Sequence, residues 1–376
     1  MSTERLHSIC RWTFNAGKGG FVPANARPAW SAEQLPTAKL PALIASKIRP
    51  RLPKHITLGF EVHYDYEINE ANSNAVVDAM GEHDLPLAMI TPGAHAHFGY
   101  GGIASPNSHE RDAAKAFGQK TVDLGYGVFK KVWHPQYVPS FVIWNGSYGY
   151  DLGTVGIRTM YEHLKSGLAD LARYEEKAGG QMYLCIEPKP NEGHPAMLVP
   201  TVASAINLWR RISEQHGISR DRLGVNKEIG HSEMIGLDAI YDTIEEIDSG
   251  TLFHTHLNSQ GYNDGLLLGG PGKFDIDFGV RVNGFNVTLA RLYQDANYSR
   301  WYGHDMQPRP YDNEQQAIER VVRSILSWEA CEQAARALNV SELNKALESK
   351  DTAKAEDIMR GSVTDAQKLF DAMIKG

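Results

Sequence analysis

Eight short apolar or β-branched runs bounded by Gly, Pro, Asn or Asp recur along the chain. They are CRWTF (10–14), ITLGFEV (56–62), PLAMI (86–90), SFVIW (140–144), QMYLCIE (181–187), LGVNKE (223–228), TLFHTHLN (251–258) and SRWYGHD (299–305). Each has the length of a strand, and segments of helical period separate them, among them HERDAAKAFGQKTVDLG, TVGIRTMYEHLKSGLADLARYEEKA and TVASAINLWRRISEQHG. Strand alternating with helix predicts parallel βα units, and eight of them fit an α/β fold closed as a (β/α)8 TIM barrel. An open doubly wound sheet is the alternative, and it is disfavoured because no run is followed by a GxGxxG turn.

After the eighth run, EQQAIERVVRSILSWEACEQAARALN predicts a long helix, with shorter polar helices beyond it. This divides the chain into a barrel over 1–312 and a C-terminal helical tail over 313–376. Thr364 and Gln367 have the spacing of a capping box for the last helix, which carries Leu369, Phe370, Met373 and Ile374 on one face. Such a tail either folds back on its own barrel or clasps a neighbouring subunit.

Composition narrows the partners. The 376 residues are 42% hydrophobic with 35 glycines, enough for one large core, and the formal net charge is -7 with no basic run, so nucleic acid is not expected. Cys10, Cys185 and Cys331 are widely spaced, form no CxxC and suit a reducing compartment. The N-terminal stretch MSTERLHSICRW has no apolar leader core, and no segment approaches the length of a membrane span. A cytoplasmic protein is expected.

The candidate chemistry lies at strand ends. Glu187, Glu228, His256 and Asp305 close four successive predicted strands, and parallel barrel strands direct their carboxyl ends to one mouth. Glu187 alone could cap a helix or pair with Lys189. Four such groups together suggest a divalent cation, and an oxygen-rich set with one imidazole suits Mg, Mn or Co. His231 lies three residues after Glu228, and Asp275 and Asp277 in GKFDIDFG share one side of an extended segment, which suggests a second oxygen-dominated site. Bland alternatives are a surface histidine and an Asp-rich loop. His95, His97 and Tyr100 lie in the long segment after the third strand, where barrels place substrate-contacting loops, although loop histidines are often only solvated.

The stretches IEPKPNEG (186–193), VPTVASAINL, GVNKEIGHSEM (224–234) and LFHTHLN (252–258) resemble the xylose isomerase family, as do CRWTFNAGKGGFVP and FVIWNGSYGYD. The resemblance runs from about residue 10 to about residue 330 and implies a TIM barrel, two divalent metals and aldose–ketose isomerisation. It further implies that Glu187, Glu228, His256 and Asp305 hold the metal that grips substrate hydroxyls, and that Glu228, His231, Asp275 and Asp277 hold the catalytic one, with Glu228 shared. Lys189 falls on the lysine that polarises the substrate carbonyl, and His63 on the histidine that opens the sugar ring. Trp12 and Trp144 match aromatic walls, and Phe21 an aromatic inserted across a subunit interface, so a homo-oligomer is expected.

Several departures stand out. His256 replaces an Asp of xylose isomerases, as in L-rhamnose isomerases, and a neutral ligand favours Mn or Co over Mg. Tyr66 stands where an Asp usually orients the ring-opening histidine, so Asp65 or Glu67 would orient His63. Asn263 and Gly265 degrade the nearer DxD candidate, and Gln307 replaces a lysine after the last ligand. The expected function is therefore metal-dependent isomerisation of an unphosphorylated monosaccharide by hydride shift. The alternative is an epimerase or lyase that abstracts a proton from a keto-sugar or glycoside. A non-catalytic sugar-binding barrel and a nuclease barrel fit the ligand sets and the acidic balance less well.

Overall fold

The computed structural model describes residues 4–14, 35–94, 97–143, 153–190, 197–260, 278–307 and 312–375. Eight parallel strands close in chain order into a barrel: β1 (Arg5–Cys10), β2 (Ile56–Tyr64), β3 (Leu87–Pro92), β4 (Ser140–Ile143), β5 (Tyr183–Ile186), β6 (Leu223–Glu228), β7 (Leu252–His256) and β8 (Tyr302–His304). β1 pairs with both β2 and β8, which leaves no sheet edge. The α/β TIM barrel expected from the alternation of runs is the observed fold.

Alternation along β2 shows how a strand serves two layers. Leu58, Phe60 and Val62 join the hydrophobic layer beneath the helices, while Glu61, between Phe60 and Val62, reaches partners on β1 and β7 across the interior. The first strand starts five residues earlier than the apolar run CRWTF suggests, and 11–13 form a 3₁₀ turn instead. Its pattern is disguised by buried polar residues. His7 is held between His304 (2.9 Å) and Glu329 (3.0 Å), and Ser8 bonds to Glu61.

The helices are α1 (Leu40–Leu43), α2 (Ser73–Glu82), α3 (Ser108–Gly127), α4 (Gly153–Ala178), α5 (Val202–His216), α6 (Ile229–Met234), α7 (Ala239–Ser249), α8 (Gly284–Asp295), α9 (Glu314–Ala337), α10 (Val340–Glu348) and α11 (Thr352–Lys375). Local chemistry sets their ends. Thr201 and Ser204 form a capping box on α5, which stops at Gly217 with φ +66°, and Asn313 with Gln316 caps α9 in the same way. None of the described helices is long and apolar enough to cross a membrane.

Barrel interiors are usually filled with Val, Ile and Leu. Leu6, Ala88 and Trp301 form a small apolar cluster here, and a Cβ at Gly59 would come within 2.6 Å of the Trp301 ring. Ser8, Glu61, Ser140, Asn226, His254 and His256 are buried too, as a polar group inside the barrel. Register shifts occur at Phe60/Glu61 and at Val225/Asn226, beside two residues that reach His256. Such irregularities re-aim side chains next to sites.

The tail folds back on its own barrel. α11 packs along α9 and α8, with Ala366 fully buried in the cluster that contains Trp328, Tyr293 and Tyr302. Phe370, Met373 and Ile374 lie partly buried against the main core. Thr364 is not a helix start, because α11 is continuous from Thr352 and the Thr364 hydroxyl donates to the Arg360 carbonyl at 2.9 Å. Enlarging a side chain at this contact forces repacking of both helices. Ala366→Leu is expected to cost about 1–3 kcal/mol, read as a lower midpoint in urea unfolding.

Candidate metal centre

The carboxyl ends of β5 to β8 bring the four strand-end residues together. Nδ1 of His256 lies 3.2 Å from Glu228 Oε2, 3.7 Å from Glu187 Oε2 and 3.6 Å from Asp305 Oδ2. Glu187, Glu228 and His256 are buried and offer ligand atoms all within 4.8 Å of one another. Neighbours hold the carboxylates in place. Asn226 donates to Glu187 Oε2 (2.8 Å), Asn258 donates to Glu228 Oε1 (2.7 Å), and the Trp12 indole donates to Asp305 Oδ1 (2.7 Å). The donor set of three carboxylates and one imidazole fits a divalent cation of the Mg, Mn or Co class.

His231 stands on α6, directly after β6. Its Nδ1 lies 3.0 Å from the Pro188 carbonyl, which can only accept, so Nδ1 carries the proton and Nε2 turns to Glu228 Oε1 at 3.1 Å. A cavity of about 10 Å³, room for one water-sized species, is lined by Pro188, Glu228 and His231 among others. Asp275 and Asp277, the other expected ligands of a second site, lie outside the described residues, as do Phe21, Trp144 and His95.

Crowding of charge shapes the titration of the cluster. Burial, reinforced by the Glu228 charge, raises the Glu187 carboxyl above its ordinary range. Burial pulls His256 down, but the Glu61 carboxylate, hydrogen bonds to Glu228 and Glu61, and Asp305 outweigh it and hold the ring well above its ordinary value. Glu61 is the counterpart. Burial raises it, yet His256 and His254 hold it well below the ordinary carboxylate range.

His63 lies beside this cluster, with the Trp12 ring edge-on at 4.2 Å between centroids and Tyr66 stacked at 5.3 Å. Its orienting carboxylate is Glu67, whose Oε2 lies 3.2 Å from Nδ1 and accepts from the His63 backbone N–H at 2.6 Å. Asp65, an expected participant in catalysis, instead pairs with His97 at 2.7 Å, where both side chains are more than a third exposed. The physical reason is the tight turn after β2, which brings position 67 back beneath His63 and sends position 65 outward. His97 also meets Phe117 of α3 at 5.0 Å between centroids. Lys189 is buried two residues after Glu187, and its charge acts on that carboxyl.

Sequence reasoning missed Glu61, Asn226 and Asn258. The i, i+2 rule held the signal for Glu61, which shares a strand face with His63 in EVH, and for His254, which shares one with His256 in HTH.

The profile of the xylose isomerase-like TIM barrel family matches residues 56–328, well over half of the chain. The chain belongs to that family. It is 28% identical over 237 residues to the xylose isomerase of Thermus thermophilus, which covers 62% of this chain and 54% of the relative, so it spans about half the length of that protein. Among solved structures, it shares the fold of an L-ribulose 3-epimerase, with TM-score 0.58 and 12% identity over 89% of this chain and 98% of the other. It also shares that of the 3-keto-D-glucoside 4-epimerase of E. coli, with TM-score 0.52 and 15% identity over 80% and 94% respectively. The xylose isomerase-like family generally uses divalent metals, and the two epimerase structures share the fold.

The linked titration has a defined sign. A carboxyl held low contributes stability above its unfolded value of 4.5, lost as pH falls through the folded value. An imidazole held high contributes below its unfolded value of 6.5, lost as pH rises through the folded value. In chelator-treated protein, the midpoint deficit of His256→Gln relative to the parent is therefore expected to be greatest between pH 4.5 and 6.5. Thermal scans across pH should show that deficit shrinking in both acid and alkaline buffer.

Proposed function

We propose that this protein is a divalent-metal-dependent aldose–ketose isomerase that moves a hydride between C1 and C2 of an unphosphorylated monosaccharide. The observation that carries this reading is the convergence of Glu187, Glu228 and Asp305 on one nitrogen of His256. Glu187, Glu228, His256 and Asp305 would hold one ion, and Glu228 with His231, Asp275 and Asp277 a second. When bound, the ions would supply Lewis-acid stabilisation of the negative charge that develops on the sugar oxygens during the shift.

The chain's own residues supply the rest. Lys189 donates to the substrate carbonyl oxygen as charge builds there. His63, held by Glu67, takes and returns the proton needed to open the sugar ring. Trp12 closes one wall of the site while its indole N–H keeps Asp305 in place, and Trp144, Phe21, His95 and His97 would line the remainder. The carboxylate excess around the cluster, which includes Glu61 and Glu67, repels a phosphorylated substrate. A homo-oligomer would let Phe21 reach a neighbour's site.

A second reading, an epimerase or lyase, has one observation in its favour. The buried His63–Glu67 pair beside the cluster is also suited to abstract a proton next to a carbonyl. Conversion of aldoses in D2O separates the two. Hydride shift is expected to give a ketose without solvent deuterium at C1 or C2, whereas deuterium incorporation at the reacting carbon supports proton abstraction. Glu228→Gln is expected to lower kcat/KM by about 100-fold or more in the same NMR assay, and unchanged turnover would contradict the metal assignment.

A further inference from the structure

A fully buried glutamate inside a barrel demands a reason, because an isolated interior carboxylate is costly. Glu61 is shielded from solvent and ringed by donors. Oε1 faces the Ser8 hydroxyl and His254 Nε2 (3.3 Å), and Oε2 faces His256 Nε2 (2.9 Å) and the Cys10 thiol (3.5 Å). His254 Nδ1 in turn lies 3.1 Å from the Ser140 hydroxyl, whose proton it accepts when Nε2 carries the ring's proton. Four donors on two oxygens match the acceptor capacity of an ionised carboxylate. The backbone makes room for this arrangement. A Cβ at Gly303 would lie 2.5 Å from Glu61 Oε1 and 2.6 Å from His256 Cδ2, so only glycine admits the contact.

Resting on the metal-site reading above, we propose that Glu61 is the positioning residue of the metal centre. By accepting the Nε2–H of His256, it fixes the tautomer in which the Nδ1 lone pair faces Glu187, Glu228 and Asp305. An imidazole ligand is otherwise free to carry its proton on either nitrogen, and a carboxylate behind it sets both ring orientation and basicity. The two ring nitrogens of His256 divide along this line, with Nε2 on Glu61 and Nδ1 on the three mouth carboxylates. Cys10, Glu61 and His256 could instead form a cation site of their own, since their ligand atoms also cluster within 4.8 Å. Donors already occupy both Glu61 oxygens, the Cys10 thiol among them, so that grouping serves as a hydrogen-bond shell. Glu61 therefore acts through His256 and touches no substrate.

The test uses the full chain and Co²⁺ titration, with isotope-labelled histidine and NMR-active cadmium as a second readout. Glu61→Gln places an N–H donor against the donors that ring Glu61, and Gly303→Ala forces Glu61 and His256 apart with every ligand retained. Each is expected to weaken Co²⁺ binding by about 10- to 100-fold, while Glu187→Gln removes a ligand directly. In the unsubstituted protein, cadmium coupling is expected on Nδ1 of His256, with Nε2 still protonated. Binding like the parent's in Glu61→Gln and Gly303→Ala, together with loss in Glu187→Gln, would overturn the positioning role and leave the metal site standing. Undiminished binding in Glu187→Gln would overturn the metal site itself. Should a variant fail to fold, coupling on Nε2 in the unsubstituted protein would still refute the proposal.

Discussion

One imidazole ring joins the interior of this barrel to its mouth. His256 ends β7 with one nitrogen on Glu61, inside the barrel, and the other turned to Glu228, Glu187 and Asp305. Around it the sheet departs from ordinary barrel design. Gly303 gives up its side chain, the β2–β3 and β6–β7 registers slip beside Glu61 and Asn226, and polar residues occupy positions that apolar ones usually fill. These departures cluster around the Glu61–His256 contact, and Gly303 in particular leaves room for it.

Much of this was legible in the chain. The order of strands and helices follows from alternating runs, and the strand-end rule led directly to Glu187, Glu228, His256 and Asp305, because parallel strands fix where a terminal side chain must point. What stayed hidden depends on three-dimensional pairing. The start of β1 is hidden from an apolar-run pattern because His7 and Ser8 are polar yet buried, satisfied by partners nearly 300 and 53 residues away. The turn after β2, which spacing does not reveal, decides that Glu67 and not Asp65 faces His63. Thr364 and Gln367 match a capping box by spacing alone, in a helix that runs straight through them.

The replacement of an acidic ligand by His256 has consequences for charge. With a cation on Nδ1, three carboxylates and a neutral ring would leave the mouth less negative than four carboxylates, and the fourth negative group reappears one layer deeper as Glu61. A cation bound at Nδ1 would feel that charge only through the ring, which raises ligand basicity without adding a negative ligand. A barrel fold is shared by proteins of different chemistry, so the residues at its mouth decide the reaction.

The strand-end cluster is proposed to bind a divalent cation. The decisive measurement is anomalous diffraction from crystals grown with Mn²⁺, recorded at the manganese edge. The expected map has a peak bonded to Glu187, Glu228, Asp305 and Nδ1 of His256. A map with no peak there, or with manganese on Nε2 beside Glu61, would contradict it.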